Sequence, residues 1–441
     1  MTDLYIRQQS GPIHFSLPPN WQLLTFADFN ERSGPADAQA ATHEALKAPV
    51  DHPPLSGALT SDMDVAVIIE DPSRPSPKQQ VLRAVLAELA NAGITRDHIV
   101  VILGLGTHRK VGAEELERVY GKDLVTEYEF INHDCRAADL VPVGKLTSGT
   151  AVKINRRVHE ADFVIGIGSI FPHPLNGFGG GGKIMFPAVA DFDTILEHHL
   201  KYGFREGSGL NRLSGNHFHE EINRLAIQAG LNFIVNSVLD HNDCLYRIVC
   251  GDPIGAHETG VAMSRDILTM PFDGLSDVTI ISSFPYTEGT QIMKPLAPAS
   301  EITRPGGTIM VVTDCRVPLA EDYLTGCEQF RREYAPDLKA AVFDRFDHNQ
   351  RIVEKGAPEF NMSMAQALLA QNDYRVILVS RDIDTRTTQR LGFDHANDID
   401  QALILASEWL DTASVHVVPA GGVILPAVKI TFNPTETIQN E

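Results

Sequence analysis

The residues with the most chemical potential lie between Phe171 and Pro187, FPHPLNGFGGGGKIMFP. His173 opens the stretch, Gly177, Gly179, Gly180, Gly181 and Gly182 fill it, and Lys183 closes it. A glycine run uncovers backbone N–H groups and lets another molecule approach closely. A lysine at its end can act as a phosphate cation or a covalent attachment point. Histidines on both flanks, His173 before and His198-His199 after, add proton-transfer or metal-binding capacity. Three readings fit these residues: a plain glycine-rich turn, a nucleotide-binding loop, and an active-site loop for an organic or metallo-organic cofactor anchored on Lys183. Gly177 to Lys183 meets the spacing G-x-x-x-x-G-K, but Ile184 stands where that motif needs Ser or Thr to hold magnesium. A working NTPase is therefore disfavoured.

Other segments carry complementary groups. EDPSRPSP supplies Asp71 and Arg74, GLGTHR supplies His108 and Arg109, and a later segment supplies Gln291 and Lys294. Two histidines on either side of a substrate suit a reaction in which either face gains or loses a proton. Arg74 and Lys294 suit a carboxylate, which arginine can grip through two donors; the bland alternative is a solvated surface charge. His198 and His199 would face about 100° apart on a helix, so only one should reach a site. His217, His219, His241 and His257 read as surface or capping histidines.

Strand–loop–helix units are expected to position these groups. Asp64–Ile69 is a buried strand by its apolar run, the proline-rich loop 70–77 follows, and Val81, Leu82, Val85, Leu86 and Leu89 recur at helical spacing over 78–91. Ile99–Leu103 is a second strand, ahead of the GLGTHR turn, and Phe163–Ile170 is a third, ahead of the glycine ribbon. In open α/β sheets ligands bind at the carboxyl ends of strands, so Asp71, Arg74, His108, His173 and Lys183 are expected to converge. The segment 269–277 has linker character, a second α/β domain begins near 278, and a helix is expected over 291–303. The expected organisation is two α/β domains with the active site in the crevice between them. The boundaries are 1–271 and 272–424, with the tail 425–441 returning to the first domain.

The 441 residues are 43% hydrophobic and 21% charged, with a net charge of −20. That charge argues against nucleic-acid binding. Five scattered cysteines without a CxxC pair suit reduced thiols. No signal peptide or membrane-length apolar run is read, so a cytoplasmic protein is expected. A homo-oligomer stays open.

Five elements, in order and spread over most of the chain, resemble the nickel-dependent lactate racemase family, which includes other 2-hydroxyacid racemases and epimerases. They are EDPSRP at 70–75, GLGTHR at 104–109, HPLNGFGGGGK at 173–183, His199, and Gln291-x-x-Lys294. The resemblance implies a nickel-pincer nucleotide tethered to Lys183, with His199 as the protein ligand to nickel. It implies cofactor-assembly enzymes as partners and a small-molecule 2-hydroxyacid as substrate. It also implies inversion at C2 by hydride transfer, with His108 and His173 exchanging the hydroxyl proton. Arg74 and Lys294 would hold the carboxylate, Asp71 would orient Arg74, and Gln291 would shape the pocket. Lactate-specific members carry an aromatic residue where this chain has Thr290, and a tryptophan for which Phe360 stands in; both changes point to an acid larger or more polar than lactate, such as a sugar acid. The competing classes are a non-catalytic cofactor- or nucleotide-binding protein, a phosphate-binding NTPase, and a zinc hydrolase using His173 and His199. The last lacks a nearby third ligand in the sequence.

Overall fold

The computed structural model describes residues 3–30 and 32–429. The chain forms two compact units, each built on a six-stranded, largely parallel sheet. The first unit takes Asn30–Leu268 and, from much later in the chain, Asp344–Met362. Its sheet runs in the order Leu245–Gly251, Phe233–Leu239, Phe163–Ile170, Val65–Glu70, Ile99–Gly104, Glu129–Asn132. Only the Leu245–Gly251 edge strand is antiparallel. Every residue of Val65–Glu70 and Phe163–Ile170 is buried, as central parallel strands require when both faces are covered. Helix Lys78–Asn91 lays Val81, Leu82, Val85 and Leu89 against Val67, Ile69, Val101 and Leu103. Each such buried side chain stabilises by about 1.5–3 kcal/mol.

The second unit joins the chain through Phe29, the segment Thr269–Phe343, and the chain from Ser363 onward. Its sheet order is Asp394–Ala396, Arg375–Val379, Thr303–Val312, Ser276–Ser282, Ala413–Val418, Trp21–Phe26, parallel throughout. The domain expectation is corrected at both ends. Trp21–Phe26 is an edge strand of the second sheet, so residues 3–29 do not belong with the glycine ribbon. Leu425–Lys429 also stays in the second unit, pairing in parallel with Thr269–Asp273; residues 430–441 of the expected returning tail lie outside the described residues. The same pairing turns the expected linker 269–277 into a strand. Its Pro, Gly and Asp content reads locally as a loop, and the partner that orders it comes more than 150 residues later. The expected helix 291–303 is a 3-10 turn, Gly289–Met293, followed by helix Leu296–Ile302. Among the described residues no helix is long and apolar enough to cross a membrane.

Candidate functional site

In the first sheet the chain winds from Val65–Glu70 to Ile99–Gly104 and Glu129–Asn132 on one side. On the other side lie Phe163–Ile170 and Phe233–Leu239. The strand order therefore reverses between Val65–Glu70 and Phe163–Ile170, and a crevice opens beyond the carboxyl ends at such a point. Asp71 and Arg74 follow one of these strands; His173 and Lys183 follow the other.

Asp71 organises its loop. Its Oδ1 accepts from Ser73 N–H at 2.7 Å and from the Ser73 hydroxyl, and its Oδ2 lies 2.9 Å from His108 Nδ1 and 3.9 Å from Arg74 Nε. Burial alone would raise this carboxyl. The His108 hydrogen bond, Arg74 and Ser73 together hold it well below the ordinary carboxylate range. Beneath the loop, buried Glu70 accepts from Ser169 Oγ at 2.7 Å and from Ser76, and buried Lys78 donates to the Arg74 carbonyl. This support was not read from the sequence; a lysine on the buried side of a helix was the available signal. His108 sits in a turn fixed by Gly106, which adopts φ 54° and donates to Ala188 O at 2.8 Å, tying that turn to the end of the glycine ribbon.

The ribbon begins as a minimal hairpin, Pro172–His173 against Gly177–Phe178, and ends in the 3-10 turn Gly181–Ile184. Its glycines are required by the protein's own packing. Gly180 and Gly181 have φ of 75° and 58°. A Cβ on them would lie 2.7 Å from Asn236 Oδ1 and 2.6 Å from the His257 ring. Asn236 Oδ1 accepts the Gly181 N–H at 2.9 Å, and His257 Nε2 donates to Gly179 O at 2.9 Å. His219 stacks on His257 with centroids 5.6 Å apart, donates from Nδ1 to Asn176 Oδ1 at 3.3 Å, and accepts from Asn223 Nδ2 at 2.9 Å. His219, His241 and His257 are all buried, so of the four histidines expected at the surface only His217 is exposed there. Two of them, with Asn176 and Asn236, form the wall that holds the ribbon. Their distance in sequence from it hid this role.

Lys183 emerges from this wall with no hydrogen bond or ion pair on Nζ among the described residues. Burial, then Arg74, lowers the amine to about 7. The same amine charge, after burial, helps hold His198, His199, His219 and His257 below the ordinary imidazole range, His199 and His257 at about 4. Arg74 and these four imidazoles thus share an electrostatic neighbourhood with Lys183, and burial with the amine charge favours the neutral form of each ring. Ile184, where a phosphate-binding loop would place its magnesium ligand, is buried with its methyl groups against Gly166.

His198 and His199 lie on helix Phe192–Tyr202 and differ as expected. His198 is fully buried among Phe186 and Phe218 and donates from Nε2 to Phe218 O at 3.1 Å. His199 donates from Nδ1 to Ile195 O at 2.8 Å, which leaves the Nε2 lone pair without a partner among the described residues. A backbone acceptor on one nitrogen and an open lone pair on the other is how a metal-ligating imidazole is oriented. Among the described residues no group of three or more His, Cys, Asp or Glu side chains could hold a metal ion. A metal at His199 therefore needs its other donors from a bound group. The lone imidazole and the unpartnered amine fit a tethered metallo-cofactor.

The remaining expected residues fall in two places. Phe360 opens helix Pro358–Asp373 within the Asp344–Met362 segment of the first unit, next to Glu359, which accepts from Thr107 in the His108 turn. Thr290, Gln291 and Lys294 belong to the second unit. They follow strand Ser276–Ser282, where the second sheet's own strand order reverses. Thr290 O accepts from Ser363 Oγ at 3.2 Å, Gln291 Oε1 is buried without a partner among the described residues, and Lys294 Nζ lies 4.0 Å from the Tyr286 ring centroid.

Comparison with known proteins agrees with this architecture. Residues 9–210 match the family model of the lactate racemase N-terminal domain. The chain is 25% identical over 394 residues to the lactate racemase of Thermoanaerobacterium thermosaccharolyticum, covering 87% of this chain and 89% of that one. It is 26% identical over 394 residues to the lactate racemase of Lactiplantibacillus plantarum, covering 88% and 91%. In fold it matches the apoprotein structure of the T. thermosaccharolyticum lactate racemase with a TM-score of 0.86 at 22% identity, over 97% of this chain and all of that one. A structural-genomics crystal structure from Thermotoga maritima matches with a TM-score of 0.64 at 19% identity, over 91% of this chain. The two-unit architecture is thus the one found in lactate racemase. Residues 9–210 carry the lactate racemase N-terminal domain, and the chain is similar to lactate racemases over most of its length.

Proposed function

We propose that this chain is an isomerase that inverts C2 of a 2-hydroxyacid, working with a nickel-pincer nucleotide tethered to Lys183 and ligated by His199. The observation that carries the reading is the amine of half-buried Lys183, unpartnered among the described residues. Lowered to about 7, it is substantially neutral and nucleophilic near neutral pH, as covalent attachment requires. It shares its surroundings with His199, whose open Nε2 is oriented as a ligand. When bound, the tethered group would supply the acceptor and donor for the C2 hydride.

The chain's own residues do the rest. His108, backed by Asp71, takes the hydroxyl proton, and His173 serves the opposite face. General acid–base help of this kind is typically worth about 10²–10⁴-fold. Arg74 grips the carboxylate with Lys294 as a second cation, and Asp71 fixes Arg74 as well as His108. Gln291 shapes the pocket. Thr290 and Phe360, smaller than the residues of lactate-specific members, favour a larger or more polar acid such as a sugar acid. The partners are cofactor-assembly enzymes, and the setting is the cytoplasm.

The test is intact-mass and metal analysis of protein made together with the cofactor-assembly enzymes, followed by chiral analysis of a panel of 2-hydroxyacids. An adduct on Lys183, nickel in matching amount, and inversion of a larger acid faster than lactate are expected. Inversion by protein whose Lys183 is unmodified would overturn the reading, and faster turnover of lactate than of every larger acid would overturn the substrate class.

A further inference from the structure

We propose that His108 and His173 differ at rest: the hydrogen bonds holding each ring make His108 a proton acceptor and His173 a proton-bearing donor. The inference rests on the racemase reading for the substrate that meets them; the tautomers are properties of the chain itself.

A neutral imidazole carries one ring proton, and the partner of one nitrogen decides where it sits. His108 Nδ1 lies 2.9 Å from Asp71 Oδ2. An ionised carboxylate only accepts, so the proton is on Nδ1 and the Nε2 lone pair is open to receive one. His173 is arranged in the opposite sense. Its Nδ1 accepts the backbone N–H of Leu175 at 3.2 Å and of Asn176 at 3.1 Å. A nitrogen that already bears a proton cannot accept these bonds, so the proton is on Nε2. The turn that supplies both donors is locked: Asn176 Nδ2 donates to Phe178 O at 2.6 Å, and Asn176 Oδ1 accepts from His219. The tautomer of His173 is therefore built into the ribbon backbone, and that of His108 into Asp71.

The two faces then do different work in the first half-reaction. On the His108 face the substrate O–H bond breaks, its proton forms an N–H bond at Nε2, and the electron pair stays on oxygen. The proposed nickel-pincer nucleotide would accept the C2 hydride, so the hydroxyl proton and the hydride together carry off two protons and two electrons and a 2-oxoacid remains. On the His173 face the same hydroxyl meets an N–H. Acceptance there requires the ring proton to move to Nδ1, which breaks both backbone hydrogen bonds. The overall equilibrium fixes the ratio of kcat/KM in the two directions, at one for mirror-image substrates and at the equilibrium constant for epimers, so the difference between the two faces shows only in the separate steps.

Nitrogen-15 NMR of histidine-labelled protein reads the tautomers directly. The sample is made without cofactor-assembly enzymes, held at about pH 8, above the ordinary histidine range, and assigned through His108→Gln and His173→Gln. His108 is expected to show a protonated Nδ1 and His173 a protonated Nε2; the same tautomer in both, or the reverse pair, overturns the proposal. Asp71→Asn, whose amide can donate to Nδ1, is expected to move His108 toward the Nε2–H form while the His173 signals stay in place. An unmoved His108 removes Asp71 from its positioning role. Because the reading is made on cofactor-free protein, its failure is distinct from failure of the racemase assignment, which would appear as no inversion by the loaded enzyme.

Discussion

The His257 imidazole donates to the carbonyl of Gly179 at 2.9 Å, and its ring occupies the space that a Cβ on Gly181 would need. Replacing His257 with Ala leaves a buried carbonyl without its donor and a gap under the ribbon. A loss of about 1–3 kcal/mol is expected from the carbonyl alone, read as a lower denaturation midpoint. A smaller yield of the Lys183 adduct should accompany it. Gly181→Ala should destabilise as well, through its left-handed backbone at about 1–2 kcal/mol and through overlap with the ring. Unchanged midpoint and loading in both variants would show that the wall does not hold the ribbon.

The neutral imidazoles around Lys183 set an acid limit on stability. His199 and His257 at about 4 and His219 at about 3 bind protons less readily folded than unfolded. Between the unfolded value of about 6.5 and those folded values the unfolded state holds more protons. Stability must therefore rise with pH across that window and fall as pH drops through it. Chemical denaturation at steps from pH 7 to 4 is expected to show this slope, and His219→Gln should flatten it. A flat wild-type profile would contradict the buried, uncharged state of these rings.

Lys183, lowered to about 7, should react first among the lysines. Limiting acetic anhydride near pH 7.5 followed by peptide mass mapping is expected to find position 183 modified ahead of surface lysines, whose ordinary value is about 10.4. Preferential labelling of exposed lysines, with position 183 untouched, would mean that its amine is charged or inaccessible.

His198 and His199 should separate cleanly. His199→Ala is expected to lose nickel while the mass adduct on Lys183 persists, because the tether is independent of the ligand. His198→Leu is expected to keep nickel and to lose stability, because it strips the hydrogen bond to Phe218 O inside an aromatic cluster. Nickel retained in His199→Ala would reassign the ligand.

Arg74→Lys should raise KM by about 10–100-fold, the equivalent of 1.5–3 kcal/mol for a hydrogen bond to a charged group, since an ammonium cannot reproduce a two-pronged grip. Steady-state kinetics on the preferred acid would show it. An unchanged KM would remove Arg74 from carboxylate binding.

The strand ends were legible because each central strand is a continuous apolar run with a polar loop after it, as at Val65–Glu70 and Phe163–Ile170. The loops at those ends, which carry Asp71, Arg74, His108, His173 and Lys183, were legible for the same reason. The wall behind the ribbon was not. His219 and His257 sit on helices whose registers look like ordinary amphipathic surface, and only the packed structure brings them under Gly179 and Gly181. Glu70 and Lys78 escaped because a buried charge is recognisable only once its partners are placed. The strand Thr269–Asp273 was read as a linker because its pairing partner is distant, and local composition carries no information about a distant edge.

That distant pairing, together with the late Asp344–Met362 insertion, governs the order of assembly on the ribosome. The edge strand Trp21–Phe26 is made before every other strand of its sheet, yet its neighbour Ala413–Val418 is the last strand of that sheet in chain order. The ribbon-bearing unit, in turn, lacks a piece until residue 362 has been synthesised. The first sheet has all six of its strands once Gly251 is made, whereas the second waits for Ala413–Val418, so the amino-terminal strand cannot take its place in a sheet before the ribbon-bearing sheet is complete. The proposed loading of Lys183 would then follow synthesis of residue 362, which completes the ribbon-bearing unit.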